Sequence, residues 1–345
     1  MDIWQLCDTA VDEMAALYPV DATYVGVEGH DHRWTDYSPD GIEASIDYHR
    51  DLRRRIDALE ADPDPWAERA ARVGRMYTDL ELGHQTHEDV YRQVRTLACP
   101  LYEVREVFDV MDTESAEGRE AIIARLSGVA VALAGVRATL GVGIDRDLLA
   151  ARRQVLGAIE QCRTNAGSDS ALRALVGTMR EHGATESELA AADAAAAAAA
   201  AAYGDIGDWL EEAYLPGAPE ADGVGRDRYA AASSYFLGME VDLEETYRWG
   251  WSEIKRIQAD MEALAQQIQP GATRREVVEL LNTDPTRRAS REEFVRFMQE
   301  RQDVALRDLD GTHFDLPDPV KRVETKLAPP GAFIGAYYIG PSEDF

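Results

Sequence analysis

Two pairs of histidines stand close enough in the sequence to contact one metal ion. His30 and His32 flank Asp31 in a segment rich in glycine and aspartate, and Asp36 follows a few residues later. Imidazole and carboxylate groups are common zinc ligands in proteins. No further ligand follows at a spacing typical of a zinc site, so we expect a solvated loop here rather than a metal centre.

The second pair, His84 and His87, lies in a segment whose pattern favours a helix. Residues three apart share one face of a helix, so both rings could point the same way. The glutamate that completes an HExxH zinc motif is not beside them. We therefore expect a surface or partly buried pair. The sequence assigns no metal ligand and no catalytic residue to this chain, and it predicts no bound cofactor.

Nucleophilic catalysis and nucleotide binding also lack a sequence basis. Cys7, Cys99 and Cys162 are few and far apart, which is typical of buried free thiols in a reducing compartment. Neither a glycine-rich phosphate loop nor a G-x-S-x-G motif occurs. The N-terminus lacks the basic and apolar regions of a signal peptide. These features predict a cytoplasmic protein.

Acidic side chains strongly outnumber basic ones. The 345 residues include 64 Asp and Glu against 36 Lys and Arg, a net charge of −28. Such a chain would be repelled by nucleic-acid phosphates and by anionic membrane surfaces. We also find no uninterrupted apolar run of the ~20 residues that a membrane span needs. Nucleic acid and membranes are therefore not expected partners, and the oligomeric state stays open.

Helical periodicity dominates most of the chain. Apolar residues recur at helical spacing in 66–98 and 115–140. The alanine-rich run 190–202 follows Thr185 and Glu188, whose spacing is that of a capping box. Because alanine has the highest helix propensity, this run is expected to be a rigid helix rather than a flexible linker.

The strongest amphipathic pattern begins at Asp242. Its apolar residues fall on one helical stripe: Leu243, Tyr247, Trp251, Ile254, Met261, Leu264 and Ile268. Aromatic residues are dense nearby, at Trp209, Tyr214, Tyr229, Tyr235, Phe236, Tyr247, Trp249 and Trp251. They could line a substrate groove, but helical aromatics are more often core. We therefore expect most of them to be buried.

The periodicity changes after Gly311. Residues 320–325 and 333–339 are rich in β-branched and aromatic side chains, which is typical of short strands. The predicted fold class is thus mainly α, a multi-helix scaffold with a few short antiparallel β-strands near the C-terminus. We expect three regions: an N-terminal helical region at 1–215, a central long-helix region at 224–315 and a β-strand segment at 316–345.

Several blocks of the sequence resemble one bacterial family. They are Pro19-Val20-Asp21-Ala22-Thr23, Gly29-His30-Asp31, Asp242-Leu243-Glu244-Glu245-Thr246-Tyr247, His313-Phe314-Asp315-Leu316-Pro317 and Gly335-Ala336-Tyr337-Tyr338-Ile339-Gly340-Pro341. In this order they resemble the family catalogued as domain of unknown function 885, DUF885. In that family the last block leads into an HExxH-like helix.

This resemblance implies a gluzincin-like zinc metallopeptidase. It implies that zinc is the cofactor of the complete protein, that peptides are its substrates, and that this chain is similar to the N-terminal part, ending before the zinc motif. On that interpretation the chain alone is inactive. The alternative is a non-catalytic helical interaction module.

The resemblance also suggests a substrate-binding strand in the tail. In thermolysin-like peptidases an edge strand beside the metal helix pairs with the substrate backbone. Gly335 and Ala336 would allow close approach, and Tyr337 or Tyr338 could donate a hydroxyl to the oxyanion. The alternative is an ordinary buried strand with one tyrosine on each face.

Overall fold

α-Helices form most of the chain. A computed structural model describes residues 2–60, 64–84, 88–287, 289–327 and 338. The helices are α1 Ile3–Leu17, α2 Pro19–Val25, α3 Pro39–Asp57, α4 Pro65–His84, α5 Pro100–Glu106, α6 Ala116–Asp145, α7 Arg152–Ala166, α8 Ala171–Glu181, α9 Glu186–Trp209, α10 Arg226–Leu237, α11 Leu243–Ile268, α12 Arg274–Thr283 and α13 Arg291–Leu309. The mainly helical prediction is confirmed.

Local capping chemistry determines where several helices begin. Capping boxes are formed by Thr185 with Glu188 in α9, by Thr273 with Glu276 in α12 and by Ser290 with Glu293 in α13. In each box the hydroxyl and the carboxylate accept each other's backbone N–H, which satisfies two donors that the first helical turn leaves free. The α11 helix begins instead at Asp242, whose carboxylate accepts from the backbone of Glu244 and Glu245, both at 2.9 Å.

The chain forms two compact units, Met1–Glu240 and Val241–Phe345. The core of the first unit is built around α6 and α9. On α9, Ala192, Ala196 and Ala199 are at most 1% exposed. Their small side chains permit close packing of α9 against its neighbours α6, α7 and α8. On α6, Ile122 is fully buried. The alanine run is therefore a packed helix, as predicted. The three regions expected from the sequence remain a prediction.

By length and composition α6 could cross a membrane, since an 18-residue window of it has a mean hydropathy of 1.6. A core helix of a folded protein passes the same test. Here α6 packs against α9 and carries two buried arginines, Arg119 and Arg125. Its packing inside the first unit accounts for its apolar character.

Two glycines of α6 make room for the loop between α2 and α3. A Cβ at Gly128 would lie 2.6 Å from the ring of Trp34, and one at Gly135 would lie 3.0 Å from the backbone nitrogen of Ser38. The Trp34 indole donates to the carbonyl of Arg125 at 2.8 Å. The histidine-containing loop is thereby held directly against α6.

The second unit has a small core. Its buried apolar cluster in the described part of the chain consists of Ala265, Ala272 and Val277, with Leu281 packed against it. Most of the apolar stripe on α11 is exposed: Tyr247 is 64% exposed and Leu264 is 55% exposed. The second unit therefore leaves much apolar surface uncovered.

The prediction of short antiparallel strands near the C-terminus is wrong. Within the described residues the only β pairing is an isolated bridge between Asp310 and Phe314. Val320 lies in a 3-10 turn, Asp318–Lys321, and residues 322–327 pair with no strand in the part of the chain that the structure describes. A β-branched pattern favours extended backbone, but a strand forms only when another strand pairs with it. Residues 333–339 lie outside the described residues, except Tyr338.

The helical segment expected over 66–98 is also shorter than predicted. The α4 helix ends at His84, and a 3-10 turn occupies Asp89–Arg92. Glu88, which precedes this turn, has a positive φ of 52°. That left-handed conformation is incompatible with a continuous right-handed helix.

Candidate functional site

The loop that carries His30 is anchored on a buried arginine. Arg125 is 0% exposed. Its guanidinium donates to the backbone carbonyls of Pro19, His30 and Arg33 at 3.2, 3.2 and 2.9 Å. It also donates to the hydroxyl of Thr23 at 2.9 Å. These bonds fix the path of the loop through its main chain.

The acidic side chains of the same loop accept hydrogen bonds from residues close to them in the chain. Asp31 accepts from the hydroxyl of Thr23 at 2.6 Å, and Asp36 accepts from the backbone of Ser38 at 2.9 Å. The His30 ring lies 3.5 Å from the Arg33 guanidinium. Among the residues that the structure describes, no three His, Cys, Asp or Glu side chains form a group that could hold a metal ion. The two carboxylates therefore take part in the local structure of the loop.

His84 takes part in helix packing. Its ring stacks on Tyr235 of α10 with 4.5 Å between the ring centres, and the Tyr235 hydroxyl donates to Glu81 at 2.8 Å. These contacts join α4 to α10 in the first unit. The other member of the pair, His87, lies outside the described residues.

The three cysteines differ in exposure. Cys7 is exposed, contrary to the expectation of buried thiols, whereas Cys99 and Cys162 are buried. Burial raises the pKa of both buried thiols, that of Cys162 to about 12. Because the thiolate is the nucleophilic form, neither buried cysteine is activated for catalysis at neutral pH.

The aromatic residues divide between core and surface. Tyr214 is fully buried, and its hydroxyl oxygen accepts from the backbone of Ala150 at 2.9 Å. The expectation of burial is wrong for the exposed ones, which are Tyr229, Phe236, Tyr247, Trp249 and Trp251. Of the predicted substrate-binding residues, Gly335, Ala336 and Tyr337 lie outside the described residues. Tyr338 is 67% exposed.

A groove of about 600 Å³ lies along α13 in the second unit. Its lining combines charged, amide and apolar side chains from α13 and from the segment that follows it: Arg291, Glu292, Val295, Arg296, Gln299, Glu300, Glu324, Thr325 and Leu327. The segment 322–327 forms one wall. This groove is a candidate binding site.

The wall segment begins in extended backbone. Arg322 has φ −116° and ψ 109°. Burial then alternates: Val323 and Thr325 are half-buried, while Glu324 and Lys326 are exposed. A period of two is the signature of an extended chain with one side toward a packed surface.

Gln299 holds this segment as a neighbouring strand would. Its side-chain Nε2 donates to the carbonyl of Val323 at 2.7 Å, and its Oε1 accepts from the backbone N–H of Thr325 at 2.9 Å. In a parallel β-sheet, the N–H and C=O of one residue likewise bond the C=O and the N–H of two residues that lie two positions apart on the adjacent strand. Gln302 adds a bond from its Nε2 to the Thr325 hydroxyl at 2.5 Å.

The sequence patterns did not identify either glutamine as a functional residue. The available signal was their spacing of three residues on a predicted helix, which puts them on one face. Nothing local indicated which part of the chain that face would meet.

Comparison with known proteins places this helical chain in a family. The family model for bacterial proteins of unknown function, DUF885, matches residues 19–345. The chain belongs to the DUF885 family, so the resemblance seen in the sequence is confirmed at that level. No curated protein matches the chain.

Two solved structures share the fold. One is a proposed lipoprotein from Colwellia psychrerythraea, with a TM-score of 0.70 and 16% identity over 89% of this chain. The other is a proposed lipoprotein of unknown function from Shewanella oneidensis, with a TM-score of 0.60 and 15% identity over 99% of this chain. The present chain spans 59% and 65% of their respective lengths.

Proposed function

We propose that this chain is the helical scaffold of a zinc-dependent peptidase whose complete form includes a separate catalytic module. Two findings support the proposal. The chain belongs to DUF885, and its tail is similar to the segment that leads into an HExxH-like helix in that family. The solved structures of the same fold are also longer than this chain.

The observation that carries the scaffold role is the exposed seam of α11. Tyr247, Ile254, Met261 and Ile268 recur every seven residues and are 44–64% exposed. Ile257 and Leu264 extend the same face and are also about half exposed. A heptad seam of this kind is buried when another helix packs along it. Large exposed apolar patches mark interaction surfaces.

The described residues supply no zinc ligand set. We therefore assign no step of peptide hydrolysis to them. In this proposal the ligands and the general base belong to the catalytic module, and the present chain supports that module and contacts the peptide.

The test compares the chain alone with a longer protein. The 345-residue chain is expected to bind far less than one zinc per molecule in elemental analysis and to leave a fluorogenic peptide library intact. The chain fused to the C-terminal part of a longer DUF885 protein is expected to hydrolyse the library and to lose this activity with a chelator. Hydrolysis by the short chain that resists chelator would contradict the proposal, as would an inactive, folded, zinc-loaded fusion.

A non-catalytic interaction module is the second candidate. The same exposed seam on α11 favours it, because such a face can bind a separate helical protein. A folded fusion that binds zinc but hydrolyses no peptide, together with a stable complex through α11, would support this candidate over the peptidase.

The cytoplasm remains our proposed location, supported by the three unpaired cysteines. The lipoprotein description belongs to the two solved proteins. Fractionation of cells that express the full gene tests the location, and recovery in the membrane fraction would argue against it.

A further inference from the structure

We propose that the outer edge of residues 322–326 binds extended peptide backbone, with Gln299 as the positioning residue. The inference rests on the proposed function for the class of ligand, which is a peptide, and it locates where that peptide binds. It adds a binding site on described residues that is distinct from the tail residues Gly335 to Tyr338.

The geometry follows from the two bonds of Gln299. In an extended chain the N–H and C=O of one residue point to the same side, and those of the next residue point to the opposite side. Gln299 occupies the carbonyl of Val323 and the N–H of Thr325. The N–H and C=O of Glu324 therefore point away from α13.

Those outward groups have no hydrogen-bond partner in the described part of the chain, and the same holds for the backbone groups of Arg322 and Lys326. The side chains of Arg322, Glu324 and Lys326 are exposed. The edge thus offers donors and acceptors that repeat every two residues, about 6.7 Å apart. Another extended backbone is the ligand that matches this repeat.

Two further features favour binding at this edge, and the second of them favours a basic peptide. Gln299 and Gln302 already hold the segment extended, which lowers the ordering cost on association. The net charge of −28 attracts basic ligands over long range. The adjacent groove contributes Glu292 and Glu300 beside its arginines.

The first test varies the ligand. A fluorescent, acetylated and amidated hexapeptide of alternating valine and lysine is titrated with the chain by fluorescence anisotropy, without added metal. The matched controls are the same peptide N-methylated at the valines or at the lysines, which removes the donors from one edge at a time. The parent should bind, and one of the two methylated peptides should bind at least roughly 10-fold more weakly, because the edge that pairs with the protein has lost its donors.

The second test varies the protein. Glu324→Pro removes the outward N–H but leaves the Val323 carbonyl and the Thr325 N–H available to Gln299. Proline also favours extended backbone in the residue before it, which agrees with the two bonds that Gln299 makes along this segment. We expect roughly 5- to 10-fold weaker binding of the parent peptide than for the matched control Glu324→Ala, which keeps the N–H.

Gln299→Leu tests the positioning role. In this variant the affinities for the parent and methylated peptides should become similar. Hydrogen exchange in 322–327 should become faster, and the circular dichroism spectrum should stay unchanged. A purely structural role would leave the ratio of the two affinities unaltered.

Three outcomes would overturn the inference: equal binding of the parent and both methylated peptides, equal binding by the Pro and Ala variants, or no binding at millimolar peptide. The ligand comparison uses the unaltered chain, so it holds even if a variant fails to fold. Peptide binding is measured without zinc and without hydrolysis. A negative binding result therefore does not contradict the peptidase proposal, and an inactive fusion does not contradict the binding site proposed here.

Discussion

At the residue scale, the largest fully buried side chain among the described residues is a cation. Arg125 makes no ion pair within the described residues, and burial lowers the pKa of its guanidinium. Its donors are satisfied by backbone carbonyls and by Thr23, whose hydroxyl also donates to Asp31. A buried charge is tolerated when its donors are all used in this way.

Arg125→Met should destabilise the first unit by roughly 3 kcal/mol or more, because one buried and two part-buried carbonyls lose their donor at once. Urea unfolding followed by circular dichroism measures the change, and hydrogen exchange should rise in the loop 26–38. The exposed Arg173→Met on α8 serves as the control and should be close to neutral. A variant as stable as the wild type would show that water can replace the guanidinium without loss of stability.

Glu103 makes stability dependent on pH. Burial, reinforced by the charge of Asp21, raises its pKa from 4.5 to about 7, and the Tyr37 hydroxyl lies 3.5 Å from its carboxylate. The folded state therefore keeps a proton that the unfolded state releases. This contribution to stability is full below about pH 4.5 and is lost as the pH rises through about 7.

Glu103→Gln should remove that dependence. Between about pH 4.5 and pH 8 the wild type should lose up to roughly 3 kcal/mol more stability than the variant. Urea titrations at several pH values measure the difference, with the exposed Glu120→Gln as control. Parallel curves for wild type and Glu103→Gln would mean that the carboxylate is solvated in the folded protein.

At the scale of elements, the pairing of α6 with α9 depends on side-chain size. Within the alanine-rich run 190–202 of α9, the buried residues are all alanine, and so are the exposed ones apart from Asp193. Composition along this run therefore does little to distinguish the two faces. The positions of the neighbouring helices decide which alanines are buried.

Leucine substitutions should separate the two faces. Ala196→Leu enlarges a side chain that is 1% exposed and should cost about 1–3 kcal/mol through overpacking. Ala198→Leu on the exposed face should be nearly neutral. Thermal and urea unfolding of the two variants provide the comparison. Equal losses would indicate that the buried face of α9 is loosely packed.

At the scale of the whole molecule, the two units differ in the size of their cores. The first has a large apolar core that includes α5 to α9 and a smaller cluster between α1, α3 and α4. The second buries three small or medium side chains in its described part. Local stability follows the amount of buried apolar contact.

Hydrogen exchange should therefore be faster in α11 than in α6, although α11 is nearly as long. Trypsin should cut first in the second unit, for example after Lys255 or Arg256, and leave the first unit intact. Mass spectrometry of exchange and of the early fragments measures both effects. Equal protection of α6 and α11 would show that the α11 seam is covered in solution.

The sequence by itself determined the features that arise from neighbouring residues. The capping boxes at Thr185, Thr273 and Ser290 were readable because donor and acceptor lie three residues apart. The helical alanine run followed from intrinsic propensity, and the family was readable from short blocks in a fixed order.

Only the tertiary structure decided which distant groups meet. Arg125 contacts Pro19 and Arg33 across 106 and 92 residues, and Gln299 meets Val323 across 24. No local pattern encodes such partners. The expected strands failed for the same reason: β-branched residues favour extended backbone, but whether that backbone pairs with a strand or with a glutamine side chain depends on what folds beside it.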